Sequence, residues 1–513
     1  MASLNSVTSP LTARQVSHLL RRATVGVSTA KMRSWIGLTP QAALERLFAE
    51  QPLLPAPLDP ATGKTFVDIP FSSTLSKSYL KGWWVGQMLT EQVSVREKMV
   101  LFWQNHFVTT LAEVDDYRYF YYQNLMLRRN ALGNFRTFII EVTKDPAMLR
   151  YLNGNQNVAG KPNENYAREL LELFTIGRNN YTEDDVKAAA RVLTGWADSG
   201  FRSTTTATIT TSFRANQHDT TNKQFSTFFQ NTLIQGKTGA TAGEAELGSL
   251  IDMILAQPET ARFICRKLYR WFLNADISPD VEQTIIEPLA KIFRGSNYEI
   301  KPVVSALLTS QHFYEESLRG SIIKSPVELV IGAWRAFEMP VPDLTKEAAV
   351  FYTFTNYLLQ RTKEQQQDLL DQPSVFGYKP YYDTGFSEIW INASTLALRG
   401  NFTDQLINGR ITINNVRQYP DLIKIAGATT APTDVEKLIN ELAENWFAVD
   451  LTKQQKDYMI DQIMVPGLPR YVWSDEWNNY KNDPTSTNKR MAIQTKLVNL
   501  MLYMFRLAEY QMV

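Results

Sequence analysis

One cysteine and four histidines are all the thiol and imidazole metal ligands that this 513-residue chain holds. A lone Cys265 excludes an internal disulfide, and its apolar helical setting, ARFICRKLYRWF, makes it a small buried hydrophobe. HExxH, CxxC and Cys/His clusters are absent, and with them the usual zinc signatures. Gly-rich nucleotide loops and a GxSxG nucleophile elbow are missing too. Lys+Arg 53 against Asp+Glu 52 leaves a net charge of +1, so no long-range field favours DNA or an anionic membrane, and nucleic acid is not an expected partner. No run reaches the roughly 18 apolar residues that a membrane span requires. The opening MASLNSVTSP has neither a basic n-region nor an apolar h-region, so the chain is read as cytoplasmic or as having lost a leader.

What is present is helical periodicity over most of the length. Thr12 with Gln15 forms a capping-box pattern, and amphipathic segments cover 76–110, 114–132, 134–152, 163–176 and 182–196. The stretch Gln51–Pro70, with Pro52, Pro55, Pro57, Pro60 and Pro70, reads as a connecting arm. Between 198 and 241 the composition turns to Thr, Ser, Asn and Gln, and the alternation in Thr204–Phe213 suggests a β-ribbon or irregular insertion. The expectation is a mainly α protein, a large multi-helical body with β-structure mainly within 199–229. Its provisional regions are 1–198, 199–242 and 243–513, the last packed on the first, or else one single domain.

The densest chemistry lies in Asn163–Trp196, NENYARELLELFTIGRNNYTEDDVKAAARVLTGW. Asn163 can cap a helix that Gly177 ends, with Tyr166, Leu170, Leu173 and Phe174 on an apolar stripe. Glu169 and Glu172, three apart, share a neighbouring face beside Arg168. Two adjacent carboxylates suit metal binding or divided acid and base roles, whereas the bland alternative is solvated charges in intrahelical ion pairs. His106 follows Phe102 and Trp103 at helical spacing, so it is a core imidazole or a group at the floor of a cleft. His218, Asp219 and Lys223 fall in the polar insertion, where no core explains them. Aromatics mixed with amides and carboxylates in Phe376–Phe386 and Arg470–Tyr480 look like loops suited to sugar faces, the alternative being ordinary packing.

HLLRRATVG (18–26), KMVLFWQNHF (98–107), the 163–196 block, HDTTNK (218–223), PETARFICRKLYRWF (258–272), KSPVELVIGAWRAF (324–337), and QPSVFGY with WINASTLALRG (372–378, 390–400) follow one another in order. Together they resemble a large bacterial family catalogued as domain of unknown function 1800. Gln104, Phe174 and Asn153 stand where many members carry histidine, histidine and aspartate. The resemblance implies an extracytoplasmic protein, often encoded beside a phosphatase- or sulfatase-like protein, its suspected partner.

Two functions follow. One is an extracytoplasmic hydrolase or lyase acting on a glycan or similar polar polymer, with Glu169, Glu172, His106 and Arg168 as catalytic candidates. Asn105, Asn165, Lys223, Tyr378 and Trp390 are then the substrate-binding candidates, and His106, His218, Asp219 and Glu169 the ligands should a divalent metal assist. The other is a non-catalytic binding or assembly protein whose polar blocks are buried networks. Convergence of His106, Arg168, Glu169, Glu172 and His218 on one cleft is the geometric expectation of the first.

Overall fold

Helices begin where the sequence supplies caps. Reciprocal capping boxes at Thr12/Gln15, Thr182/Asp185 and Ser325/Glu328 open the helices Ala13–Ala23, Glu183–Val192 and Pro326–Ala336. The computed structural model describes residues 2–72 and 77–513. The chain is mainly α, with three two-stranded antiparallel sheets among the described residues. Buried apolar side chains merge into one hydrophobic cluster running from Leu11 to Tyr510. Phe225, Phe229 and Ile234 join it from the polar insertion, so the core is continuous across all three expected regions.

Close helix packing is set by small residues. The helix Lys77–Thr90 lies against Ala348–Glu364 with Gly82 and Gly86 at the contact. A Cβ on Gly82 would sit 2.6 Å from Thr355 Oγ1, and one on Gly86 would overlap the Phe351 ring. The next helix, Arg96–His106, is thereby held beside a packed wall; residues 91–95 separate the two, where a single segment had been expected.

Three local expectations need correction. Trp196, expected to close a helix, lies in a strand, because that helix ends at Val192 and Gly195 turns the chain at φ +94°. Trp196–Ser199 pairs with Thr210–Phe213, so only the end of the expected ribbon is a strand. A further hairpin, Ile411–Ile413 with Val416–Gln418, lies outside the insertion and turns on Asn414 and Asn415, both at positive φ. Finally, Arg470–Tyr480 is not a loop. Tyr471–Asn482 is a helix that buries Trp473 and Trp477, four apart, against the core.

The 163–176 segment departs from α geometry in its second half. Asn165–Glu169 is α-helical, but Leu170–Thr175 widens into a π-helix, in which the Ile176 amide reaches back to Leu171 O at 3.0 Å. Gly177, at φ +80°, ends it. The wider turn shifts the apolar stripe: Leu170, Leu171 and Phe174 are buried, whereas Leu173 is only partly so. Leu171→Ala should therefore cost about 2–5 kcal/mol and lower the melting temperature more than Leu173→Ala. Thermal melts of the two variants check this, and the reverse order would contradict the π register.

Candidate functional site

The helix Arg96–His106 presents Lys98, Phe102 and Asn105 to one side at helical spacing, with His106 beside them. Facing it, the helix Pro258–Phe272 contributes Lys267, Arg270 and Trp271 at i, i+3 and i+4. Between them opens a cavity of about 270 Å³. Ser325 and Glu328 close one end, and the segment 376–390 covers it with Phe376, Tyr381, Tyr382, Phe386 and Trp390. Phe376 and Tyr382 are 39% and 40% exposed and form an open aromatic lip.

Asn105 fixes that cover. Its Oδ1 accepts from the Tyr378 amide at 2.9 Å, and Gly377, at φ +93°, approaches so closely that a Cβ would overlap the Asn105 amide. Tyr378 is buried behind the wall and donates its hydroxyl to Asp368 O; Trp390 lines the cavity directly.

The charged groups divide into matched and unmatched. Lys98 and Glu328 form a buried ion pair, Lys98 Nζ lying 4.9 Å from the Trp271 ring centroid. Glu328 also accepts from the Ser325 amide at 2.8 Å as the capping-box partner. Lys267 Nζ, in contrast, meets no carboxylate. It donates to Leu173 O at 3.1 Å and lies 3.0 Å from His106 Nδ1. The other ring nitrogen, Nε2, lies 3.1 Å from Phe174 O, and a carbonyl can only accept, so Nε2 carries the hydrogen and Nδ1 receives from Lys267. Burial, and then Arg270, lower the Lys267 amine to about 7. Burial and Lys267 likewise hold His106 well below its usual value, so the ring is neutral. The result is a neutral imidazole joined to an amine that titrates near neutrality.

The carbonyls that seat this pair belong to the π-helical turn, and only in that sense do His106 and the Glu169–Glu172 helix converge. Arg168 forms a two-toothed pair with Glu183, both contacts at 2.7 Å, and reaches Glu164 at 3.3 Å. Glu172 accepts from Arg178 at 2.5 Å and from the Tyr181 hydroxyl at 2.8 Å. Arg178 in turn stacks on Phe376 at the lip, 5.6 Å from its centroid. Glu169 is half-buried with no hydrogen-bond partner among the described residues, and burial and Glu172 raise it to about 7. Asn165 is exposed at the helix start, its amide bound by Asn163 Oδ1. Neither Glu169, Glu172, Arg168 nor Asn165 lines the cavity.

His218, Asp219 and Lys223 form a separate buried network. Glu246 accepts from Lys223 at 2.5 Å and pairs with His218 Nε2 at 3.0 Å, and Asp219 is clasped by Arg191 at 2.8 Å. Arg191 with the Thr221 hydroxyl and amide holds the Asp219 carboxyl below the usual range. The four tentative metal ligands, His106, His218, Asp219 and Glu169, are thus not assembled; among the described residues no three of His, Cys, Asp and Glu are grouped as a metal cage. The positions noted as departing from the family pattern are structural: Gln104 is buried and bonded to Gln372, Phe174 packs in the core, and Asn153 occupies a left-handed turn.

Lys267, Arg270, Trp271, Lys98 and Glu328 were not foreseen. They stood in the quoted blocks, and the 267/270/271 spacing on the face beside the Ile264, Cys265 and Leu268 stripe was the available signal.

The contrast between the two glutamates is measurable. Glu169 holds its proton up to about pH 7, above its free value of 4.5, so stability is lost as pH rises through that window. Glu169→Gln, never ionised, should melt with the wild type at pH 4 and above it at pH 8. Glu172→Gln, weakening the Arg178 and Tyr181 bonds, should melt lower at pH 8. Melting curves at both pH values check the pair; equal drops for both variants would make Glu169 a structural partner.

No curated protein and no solved structure matches this chain. One family model does, over residues 18–512, and the chain therefore belongs to DUF1800, a family described as protein of unknown function.

Proposed function

We propose that the protein is an enzyme, a hydrolase or lyase acting on a glycan or similar polar polymer, with Lys267 as its acid–base group and His106 hydrogen-bonded to it. The observation that carries this is the 3.0 Å contact between a neutral imidazole and an amine of pKa about 7, at the wall of an aromatic cavity. A base poised near the working pH is effective in proton transfer, and burial is what brings the Lys267 amine there. Flat rings at the lip suit sugar faces, while Asn105, Ser325 and Ser387 offer polar groups for hydroxyls. This replaces the carboxylate pair by an amine–imidazole pair and needs no metal ligand. The extracytoplasmic compartment and a phosphatase- or sulfatase-like partner rest on family resemblance alone. No helix among the described residues is long and apolar enough to cross a membrane.

The second reading, a non-catalytic assembly protein, draws on the mutually satisfied His218–Glu246–Lys223 network. That network explains its own residues as structural supports. It leaves Lys267 without an explanation.

Two measurements test the enzyme reading. An amine-selective reagent at pH 7.5 should label Lys267 ahead of lysines of ordinary pKa, and mass spectrometry of the digest reads the order. Release of reducing ends from a panel of neutral and acidic polysaccharides should rise as pH increases through about 7, because the free amine is the active form. His106→Ala and Lys267→Met should each lower that rate by about 10²–10⁴-fold. Ordinary Lys267 reactivity together with no cleavage of any polymer would leave the assembly reading standing.

A further inference from the structure

Arg270 carries a charge that forms no ion pair among the described residues. Its Nε donates to Ala275 O at 3.2 Å and its guanidinium lies 5.3 Å from the Phe386 centroid, but its terminal nitrogens have no partner among the described residues. Two carboxylates act on it through space, Glu282, which Arg266 already holds at 2.6 Å, and Asp276, and neither forms an ion pair with it. Among the described residues that line the cavity the only carboxylate is Glu328, and Lys98 takes it. Arg270 therefore sets a guanidinium one helical turn from the Lys267 amine, in a chamber walled by aromatic rings. A half-buried guanidinium with a free planar fork is geometrically matched to a carboxylate. A phenol, amide or neutral hydroxyl would leave its charge uncompensated.

We propose that the substrate is an acidic glycan, that Arg270 holds the carboxylate of a uronic acid residue, and that Lys267 removes the proton from the carbon bearing that carboxylate. This rests on the enzyme reading above and narrows it from hydrolase or lyase to a β-eliminating lyase. The C–H bond breaks toward Lys267 Nζ, and its electron pair is first held as an enolate whose charge Arg270 offsets. The pair then forms a C=C bond to the neighbouring carbon as the glycosidic C–O bond at that carbon breaks. The departing oxygen takes a proton from water, and Lys267 returns its own to solvent. Atoms and charge balance without an oxidant, a reductant or a second substrate. His106 acts through Lys267: its Nδ1 accepts a hydrogen from the amine and fixes where the free electron pair points, which makes it a positioning residue.

The test uses the whole chain with polygalacturonate and alginate as acidic polymers and xylan and dextran as neutral ones. The expected result is growth of the ultraviolet absorbance of a conjugated unsaturated uronate with at least one acidic polymer, and none with dextran. Lys267→Met should lower that rate by about 10²–10⁴-fold. Arg270→Gln should raise KM for the acidic polymer and lower kcat, and Arg270→Lys, which keeps the charge but loses the fork, should recover only part of either. Circular dichroism spectra matching wild type show that the variants fold. Reducing ends released without unsaturated product would overturn the inference while leaving the hydrolase reading intact. Cleavage of dextran at the same rate would do the same. No cleavage of either acidic polymer, with no quenching of tryptophan fluorescence when they are added, would overturn the inference outright.

Discussion

The exposed carbonyls at the end of the π-helical turn are the constraint on which the cavity depends. A helix terminus leaves its last carbonyls without intrahelical donors, and something must satisfy them. Here His106 and Lys267, from two other helices, supply hydrogens to Phe174 O and Leu173 O. One contact therefore does three things. It docks three helices, fixes the imidazole tautomer, and keeps the lysine amine in a setting where its charge is disfavoured.

Around that seat, charges are arranged with unequal care. Glu328, Asp219 and Glu246 each receive several donors and stay ionised inside the protein. Lys267 and Arg270 form no ion pair with a carboxylate among the described residues. Buried networks that are fully satisfied read as architecture, whereas a cation left short of a partner reads as a place kept for something else. By that measure His218 and Lys223 belong to the scaffold and Lys267 and Arg270 to the cavity, although all four looked alike as polar residues in a sequence.

Fold class was legible because period and caps agree: Thr12/Gln15 and Thr182/Asp185 open helices where their spacing says they should. The Ile411–Gln418 hairpin was missed because its strands are only three residues each, too short for alternation to stand out. The Tyr471–Asn482 helix was taken for a loop because its polar aromatics masked the Trp473/Trp477 spacing. Of the candidate site, His106, Asn105 and Trp390 were found and Lys267 and Arg270 were not. Lysines and arginines on a helix face are ordinarily solvated, and only the third dimension reveals that the opposing wall is aromatic and that its acid, Glu328, is taken by Lys98. The carboxylate pair drew attention by proximity in sequence, but its members face Arg178 and solvent.

Glu328 shows how tightly the cavity is tied to the chain around it. One of its oxygens closes the capping box at the start of a buried helix, and the other meets Lys98 in the cavity wall. A drift from glutamate to a neutral residue would at once uncap a helix and strand a buried ammonium. A drift at Lys98 would strand the carboxylate instead. Neither residue can be neutralised alone without stranding the other, so the wall of the chamber and the start of the helix beneath it rest on the same pair.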